Sequence, residues 1–210
     1  MKTLFTLLVL ALAAPAAAQN PPYLAIRAEG FVSEQEFAAV NTFKGVFGQS
    51  EQSFWGAGVS VTQEDRFYVD FTASRFKKTG QRAFRASTGE VFQLGIPLRA
   101  TITPIELTGG YRFHFKGMAR LVPYLGGGIG FFKYQETSDF AADGENVDTR
   151  HVGGIFEGGL EVRLGRWLGV GADAHFTHVP GILGQGGISK DANENDLGGI
   201  SARLKIIIGL

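Results

Sequence analysis

The sequence predicts an all-β fold: an eight-stranded antiparallel up-and-down transmembrane β-barrel with long extracellular loops and short periplasmic turns. Three observations predict it. Apolar and polar residues alternate with a period of two along most of the chain, as in strands that have two different faces. The alternating segments are long enough to cross a bilayer as tilted strands. Long and short connections alternate between them, as in barrels with turns at one end and loops at the other.

Each element follows from that alternation in turn. The sixth segment, HVGGIFEGGLEVRL, shows it clearly, because even-numbered residues are apolar or glycine and odd-numbered residues are mostly charged or small. Tight connections follow the second, fourth and sixth segments, so both termini are expected at the end with the short turns. The eight segments are 23–32, 53–63, 66–76, 104–115, 120–134, 151–164, 167–179 and 196–210, the tight connections 63–65, 116–119 and 165–166, and the long ones 33–52, 77–103, 135–150 and 180–195.

Residues 91–102 test the strand count. They also alternate, but their apolar residues are even-numbered, whereas those from Ile105 onward are odd-numbered. The change of parity predicts a bulge or a break at Thr103–Pro104. Counting 91–102 as a further spanning strand would give nine strands and move loop 135–150 to the periplasmic side. We therefore interpret 91–102 as an extension of the fourth strand above the bilayer or as a hairpin within the second long loop.

The first residues and the composition narrow the class of protein. Residues 1–18 have the basic start, apolar run and alanine-rich end of a cleavable export signal, which leaves 19–210 for the barrel domain. The chain has no cysteine, which excludes disulfides and thiolate metal sites. Its formal net charge is +0 without basic clustering, which argues against nucleic acid. With 30 glycines and no collagen-like period, glycine must belong to ordered structure, and we expect it mainly on the inward row.

The direction of the apolar face decides between a membrane barrel and a soluble exported barrel or sandwich. The polar row mixes charges of both signs with glycine, which suits a narrow interior of paired charges. The apolar row carries aromatic residues towards the strand ends, where membrane barrels have their interface girdles. The aromatic residues of the apolar row are Trp55, Phe67, Phe113, Phe115 and Phe131. Both features favour the membrane barrel.

Three stretches resemble a known superfamily. LVPYLGGGIGFFKY, GGLEVRLGRWLGVGADAHF and DLGGISARLKIIIGL, together with the export signal, are similar to the small outer-membrane β-barrels, the OmpA-like and outer-membrane-protein-W-like transmembrane domains. The resemblance covers essentially the whole mature chain. It implies a bacterial outer membrane, often no enzymatic activity, and in some members the passage of small or hydrophobic molecules. The family usually ends in an aromatic residue, whereas this chain ends in Leu210.

The charges of the inward row are the first candidate site. An eight-stranded barrel is just wide enough to be filled by its own side chains, and buried charges require partners. We hypothesise that these residues form one paired network, either as a plug that stops flow or as a gated polar path. The candidate lumen charges are Arg27, Glu29, Asp70, Glu106, Arg112, Glu157, Glu161, Arg163, Asp173, Arg203 and Lys205.

The first long loop is the second candidate site. In SEQEFAAVNTFKGVFG, residues 33–48, an apolar side chain recurs at about helical spacing, and Ser33 with Glu36 predicts a capping box. Gly45 and Gly48 would end this helix, which could lie over the barrel or on the membrane surface. It either packs the loops or forms a hydrophobic lid for a small apolar ligand. The lid residues would be Phe37, Val40, Phe43 and Phe47.

Other polar motifs are interpreted as structural. His175 and Thr177 resemble the histidine–hydroxyl pairs of outer-membrane lipid hydrolases, but we expect a lumen histidine there and a rim histidine at His178. GGGIG at 126–130 lacks the helix and lysine of a phosphate-binding loop. The loop acids match no EF-hand, so they are expected to be solvated, with weak divalent binding as the alternative. They are Asp139, Asp143, Glu145, Asp148, Asp191, Glu194 and Asp196.

These observations favour a structural or passive-transport barrel with no catalytic, cofactor or metal site. The alternative is a surface protein that acts through its loops in adhesion or defence, and an enzyme acting on lipid is the least favoured class. The expected partner is outer-membrane lipid, with a small apolar ligand or a surface partner in addition. We expect a monomer.

Overall fold

The chain forms a closed antiparallel barrel of eight strands, each paired with its neighbours in sequence and the first with the last. The computed structural model describes residues 23–86, 88–141 and 146–209, so the predicted export signal and Leu210 lie outside it. The predicted fold class, a closed antiparallel up-and-down barrel of eight strands, is confirmed. The strands are β1 Leu24–Phe37, β2 Glu51–Gln63, β3 Phe67–Arg85, β4 Val91–Arg112, β5 Leu121–Thr137, β6 Val147–Arg163, β7 Leu168–His178 and β8 Gly199–Ile208.

Two short helices lie in the connections at one end of the barrel. Helix α1, Val40–Phe47, joins β1 to β2, and helix α2, Gly187–Asp191, lies between β7 and β8. Neither has the length and apolar character that a membrane-crossing helix needs. At the opposite end, Glu64 and Asp65 both have positive φ, and Arg66 N–H donates to Gln63 O, which forms the tight turn between β2 and β3.

The apolar row of every strand faces outward, as predicted. Apolar side chains such as Phe71, Phe156 and Leu204 are more than half exposed, whereas the polar residues that alternate with them are buried. The exposed apolar residues of all eight strands make a continuous belt around the wall, as in barrels whose outer surface faces lipid. The aromatic residues expected at strand ends are exposed: Trp55, Phe67, Phe113, Phe115 and Phe131.

Strand β4 runs without interruption, so the predicted bulge at Thr103–Pro104 is wrong. The β3–β4 register is continuous there, and the shift occurs further out, between Gln81 and Ala83. The inward row stays even-numbered throughout, but it changes from apolar at Ile102 to charged at Glu106. The parity change in the sequence therefore comes from a change in the residues that line the lumen, from apolar to charged, and the strand itself is regular. The interpretation of 91–102 as an extension of the fourth strand is confirmed.

The connections differ from the predicted lengths. The second long loop, predicted at 77–103, is mostly strand, because β3 and β4 extend together and are joined by residues 86–90. The connection between β4 and β5 spans 113–120, longer than the predicted 116–119. The β2–β3 pairing ends at Trp55 with Arg75, and the β4–β5 pairing begins at Arg99 with Thr137. Residues 76–98 therefore pair only within the hairpin of β3 and β4, as a two-stranded extension that we call the overhang, and Phe76 at its base still packs in the lumen.

Candidate functional site

The lumen contains two layers of different chemistry. The layer nearer the chain termini is polar and consists of ion pairs, and the layer nearer α1 is apolar and aromatic. We call them the charged layer and the aromatic layer. The charged layer is built mainly from inward rows of the strands, since alternate residues of a closed barrel point to the axis. The aromatic layer combines inward strand residues with residues of α1 and of 179–197.

Glu161 is the centre of the first group of ion pairs. Arg112 binds it with both terminal nitrogens, at 2.8 and 2.7 Å, and Arg27 binds it at 2.7 Å. All three side chains are buried, and they come from β6, β4 and β1, so they cross the lumen. The planar fork of arginine matches two carboxylate oxygens, which explains why one glutamate holds two arginines in place.

Asp65 extends this group at the turn end of the barrel. Its carboxylate lies 3.2 Å from Arg112 Nε and pairs also with Arg163 and His114. Sequence reasoning treated Asp65 only as a turn residue. The alternation pattern does not extend into a turn, so nothing in the sequence indicated that this carboxylate points back under the barrel.

A second group joins β4 to β8. Arg203 Nη2 lies 2.5 Å from Glu106 Oε2, and Thr72 donates its hydroxyl to the same oxygen at 3.1 Å. The guanidinium of Arg203 also lies over the ring of Phe31, 4.6 Å from its centroid. The buried pair therefore has further partners on two other strands, β3 and β1.

A third group contains His175 and Lys205. His175 Nε2 lies 3.0 Å from Glu157 and 2.9 Å from Asp173, and Lys205 Nζ lies 3.4 Å from both Asp173 and Glu29. Ten of the eleven candidate lumen charges thus fall into three ion-paired groups, whereas the hypothesis assumed one network. Asp70 is buried without an ion pair among the residues that the structure describes, and its Oδ1 has no hydrogen-bond partner there.

Two tyrosines complete the third group, and sequence reasoning missed both. Tyr68 donates its hydroxyl to Glu157 at 2.7 Å, and Tyr124 donates its hydroxyl to Asp173 at 2.6 Å. A methyl group at Gly126 would collide with the Tyr68 hydroxyl, so the glycine makes room for the ring to reach across two strands. The available signal was the parity of both tyrosines, which places them on the inward row opposite glycine-rich β5 and β6.

The histidine–hydroxyl pair does not have the geometry of a base and a nucleophile. His175 is engaged by two carboxylates, while the Thr177 hydroxyl donates to Gly199 O at 3.4 Å. No hydrogen bond joins His175 to Thr177 within the described chain. His178 lies at the rim, largely exposed, with Nδ1 2.6 Å from Asp196 Oδ2.

The aromatic layer closes the outer end of the lumen. Phe37 and Phe43 are each 1% exposed and stack face to face, with ring centroids 3.7 Å apart. Residues from 179–197 pack over the same rings. The buried members of this layer are Phe37, Ala39, Phe43, Phe54, Phe76, Ala100, Ile102, Phe132, Tyr134, Val179, Ile182, Leu183 and Leu197.

Helix α1 differs from its predicted start. Ser33 and Glu36 belong to β1, so the predicted capping box is wrong, and Ala39 occupies the N-cap without a side-chain hydrogen bond. The strand continues because β1 pairs with both β2 and β8 as far as Glu36. Of the two glycines predicted to end the helix, Gly48 does so, with φ of 81°, whereas Gly45 lies within α1.

The proposed lid residues do not form one exposed surface. Phe37 is the last residue of β1 and Phe43 lies within α1, and both belong to the aromatic layer. Phe47 is partly buried against that layer, and Val40 is half-buried. Next to them, an open depression of about 520 Å³ lies between α1 and the overhang. It is lined by Asn41, Lys44, Gly45, Val91, Phe92 and Gln93.

Two of the loop acids have structural roles, in contrast to the expected solvated state. Glu194 accepts hydrogen bonds from the N–H groups of Asn41 and Thr42 at the start of α1, at 2.9 and 2.8 Å. Asp196 accepts hydrogen bonds from the N–H groups of Val179 and Gly198. Asp143 and Glu145 lie outside the described residues. In the part of the chain that is described, no cluster of His, Asp or Glu could hold a metal ion.

Comparison with known structures gives the same architecture. The N-terminal β-barrel domain of Pseudomonas aeruginosa OprF matches with a TM-score of 0.50 and 13% identity, over 92% of this chain and 100% of that domain. The chain folds as a small bacterial outer-membrane β-barrel. Ail, the attachment invasion locus protein of Yersinia pestis, solved with the heparin analogue sucrose octasulfate, matches with a TM-score of 0.51 and 10% identity, over 89% and 96% of the two chains.

A third neighbour is outer membrane protein OprG from Pseudomonas aeruginosa, with a TM-score of 0.50 and 12% identity over 89% of this chain and 95% of that one. No protein-family model matches the sequence, and no curated protein is significantly similar to it. These identities are low, so the neighbours establish the outer-membrane barrel fold. The apolar belt around the closed wall fits a barrel that lies in a membrane.

Proposed function

We propose that this protein is a structural outer-membrane barrel whose lumen is closed to aqueous flow. The observation that carries the proposal is that side chains fill the lumen at two successive levels, first in the charged layer and then in the aromatic layer. A hydrated ion would have to separate buried, paired charges in the first layer and lose its water among aromatic rings in the second. The proposal thus selects the plug from the two roles that the sequence left open for the lumen charges.

Conductance in a planar bilayer tests this proposal. Wild-type mature protein is expected to give no discrete current steps. The variant R27A/R112A/E161A removes the centre of the first ion-paired group, E106A/R203A removes the second, E157A/D173A/K205A removes most of the third, and F54A/F76A/F132A truncates three rings of the aromatic layer. Opening either layer alone is expected to leave the protein silent, because the other layer still closes the lumen, whereas the combination of all four sets conducts.

Folding of each variant is checked by circular dichroism and by resistance to unfolding in detergent at room temperature. A porin in the same bilayer is the positive control. Discrete steps from the wild-type protein contradict a closed lumen, and steps from one single-layer variant would assign the closure to that layer alone.

The proposal includes the absence of catalysis at His175. Its support is the engagement of the imidazole by Glu157 and Asp173 and the direction of the Thr177 hydroxyl towards Gly199. Refolded protein is expected to hydrolyse fluorogenic phospholipids and esters no faster than the H175N/T177A variant. A rate that this double substitution abolishes would reverse the assignment.

A small apolar ligand stays a prediction, and the depression beside α1 is where the structure supports it. Val91 and Phe92 on the overhang are partly exposed above it, and Lys44 lies at its edge. The variant V91S/F92S is expected to lower uptake of an apolar solute by cells, whereas F140S, an exposed aromatic residue of another connection, leaves uptake unchanged. Equal uptake in all three proteins contradicts a ligand at this position.

Surface interaction is the second candidate function, and the overhang favours it. Phe84 and Phe92 are register partners, each 49% exposed, and Leu94 is 53% exposed on the same strand. Exposed aromatic residues on a two-stranded extension with open edges are typical of a protein-binding surface. Binding of barrel-expressing bacteria to immobilised host proteins is expected to fall with F84S/F92S. Unchanged binding would remove the overhang from the function.

A further inference from the structure

Five basic residues lie together on the outer wall of the barrel, immediately above the apolar belt. They occupy four consecutive strands, β3 to β6, and all point away from the lumen, Lys133 being half-exposed and the others exposed. We call this group the basic patch: Arg75, Lys77, Arg99, Lys133 and Arg150.

The register places the basic patch next to the last apolar residues of the wall. Arg75 is the β-sheet partner of Trp55, and Lys133 follows Phe131 by one outward position on β5. One outward step is two residues along a strand, which is about 6.6–6.8 Å. Lys133 and Arg150 are themselves register partners, so two cations lie side by side directly above belt residues. In a membrane barrel, the edge of the apolar belt lies at the level where lipid headgroups meet the acyl chains.

The cations of the basic patch have few anionic partners in the protein. Lys133 pairs with Asp148 at 3.4 Å, and this aspartate is itself half exposed. Across the described residues, the other four make neither an ion pair nor a side-chain hydrogen bond. Like charges that face each other on a sheet are destabilising. Asp148 offsets this repulsion at Lys133 only, so an external anion would stabilise the rest of the basic patch.

The neighbouring residues fit an oxyanion ligand. The register partner of Lys77 is Thr101, that of Arg99 is Thr79, and that of Lys133 on β4 is Thr103, so hydroxyl donors alternate with the charges. Of the exposed acids on the strands at this end, Glu34, Glu36 and Glu51 lie on β1 and β2, and Asp148 lies on β6 beside Lys133. Basic residues therefore predominate on β3 to β6, and acidic residues on β1 and β2.

We propose that the basic patch binds the phosphate groups of a phosphorylated lipid of the outer leaflet. Arginine and lysine at headgroup level bind the phosphate oxygens, and the threonine hydroxyls add hydrogen bonds. The acyl chains of the same lipid lie against Trp55, Phe131 and Val152 directly below. This contact with the chains selects a lipid over free phosphate. The inference concerns the outer wall and is independent of whether the lumen conducts.

Lipid binding by the full mature chain in phosphatidylcholine nanodiscs tests the proposal. The probes are lipid A with two phosphates, lipid A with one phosphate, and inorganic phosphate. Native mass spectrometry counts the lipid molecules that stay bound to each barrel, and a titration gives the apparent affinity. Diphosphorylated lipid A is expected to be retained, monophosphorylated lipid A more weakly, and phosphatidylcholine least.

Two matched variants each lose two positive charges, one within the basic patch and one away from it. R75Q/R150Q removes two charges from the basic patch, and K44Q/K190Q removes two exposed charges from the helices at the mouth. Because each basic residue near an anionic surface contributes roughly fivefold in affinity, R75Q/R150Q is expected to weaken lipid A binding by at least about tenfold. K44Q/K190Q is expected to change it by less than about twofold.

Two further results support the lipid site: partial recovery of affinity in R75K/R150K, which keeps the charges, and weaker binding at high salt. Equal affinities of R75Q/R150Q and K44Q/K190Q overturn the proposal. So does displacement of lipid A by inorganic phosphate at low millimolar concentration, which would make the patch a free-anion site. Equal retention of phosphatidylcholine and lipid A overturns it as well. Circular dichroism and thermal unfolding confirm that each variant is folded.

Discussion

Glu194 accepts hydrogen bonds from both the backbone N–H and the side-chain hydroxyl of Thr42, at 2.8 and 2.7 Å, on one carboxylate oxygen. Its other oxygen accepts hydrogen bonds from the N–H and the side-chain amide of Asn41, both at 2.9 Å. A carboxylate from the connection between β7 and β8 therefore caps the helix between β1 and β2. This contact joins two loops that are far apart in sequence and holds α1 over the aromatic layer.

Removing this cap is expected to loosen α1 without opening the barrel. E194A leaves the first N–H groups of α1 without their acceptor, and loss of a helix cap costs about 0.5–2 kcal/mol. Hydrogen exchange of the backbone amides of Asn41 and Thr42 should become faster, by roughly the factor to which that loss of free energy converts. Exchange in the strands should stay unchanged. The matched control is D191N, which neutralises an exposed acid in the same connection. The capping role would be contradicted if exchange at these amides became faster in D191N, or if it stayed unchanged in E194A.

The barrel could be predicted from sequence because its alternation is local, whereas the cap of α1 could not. Ser33 and Glu36 have the spacing of a capping box, yet both are strand residues because β1 is paired on each side. The actual cap comes from Glu194, and no local pattern connects it to Asn41. Local rules therefore identified a helix near 40–47 but placed its start too early.

Loss of Glu161 is expected to destabilise the barrel strongly. E161A leaves the buried guanidinium of Arg27 without its partner and leaves Arg112 with Asp65 alone. Breaking a buried ion pair costs about 3–5 kcal/mol, because an uncompensated charge stays in the interior. Urea unfolding in lipid vesicles measures this change in free energy. The control E64A removes an exposed carboxylate from the turn between β2 and β3 and is expected to change it by less than about 0.5 kcal/mol.

A second comparison separates pairing from burial. Replacing all three members, in R27L/R112L/E161L, removes the charges together and is expected to recover much of the stability lost in E161A. If the triple variant is as unstable as E161A, the loss comes from packing and the ion pairs are not its cause.

The polar members of the lumen were predictable from parity, but their pairing was not. Parity gives the face of each side chain, and it correctly placed Glu161 and Arg203 inward. Pairing depends on the stagger between strands, which the sequence of one chain does not reveal. Tyr68 and Tyr124 were missed for a related reason, since each reaches across glycines of intervening strands to a carboxylate.

Gly126 is expected to tolerate no side chain. A methyl group there would collide with the Tyr68 hydroxyl and approach Gly109 O within 2.7 Å. Overpacking of this kind costs about 1–3 kcal/mol. G126A should therefore lower the free energy of unfolding, whereas G154A, on the outward row of β6 with nothing within 4 Å of the added atom, should leave it unchanged or raise it slightly. If the two substitutions lower the free energy of unfolding equally, the loss comes from replacing a strand glycine as such, and the room around Gly126 is not its cause.

Trp55 and Trp167 are expected to report the two edges of the apolar belt. They are 67% and 62% exposed, and they lie near opposite ends of the barrel, Trp55 on β2 beside Arg75 and Trp167 just before β7. In vesicles of brominated lipids, W167F and W55F each leave one tryptophan, and quenching should be strongest when bromine is near the headgroup. The control variant is F156W in a chain in which Trp55 and Trp167 are both replaced by phenylalanine. Its tryptophan lies in the middle of β6, so its fluorescence should be quenched best by bromine deep in the acyl chains. A soluble barrel would show no quenching at any position, so this measurement tests directly that the exposed apolar row contacts lipid.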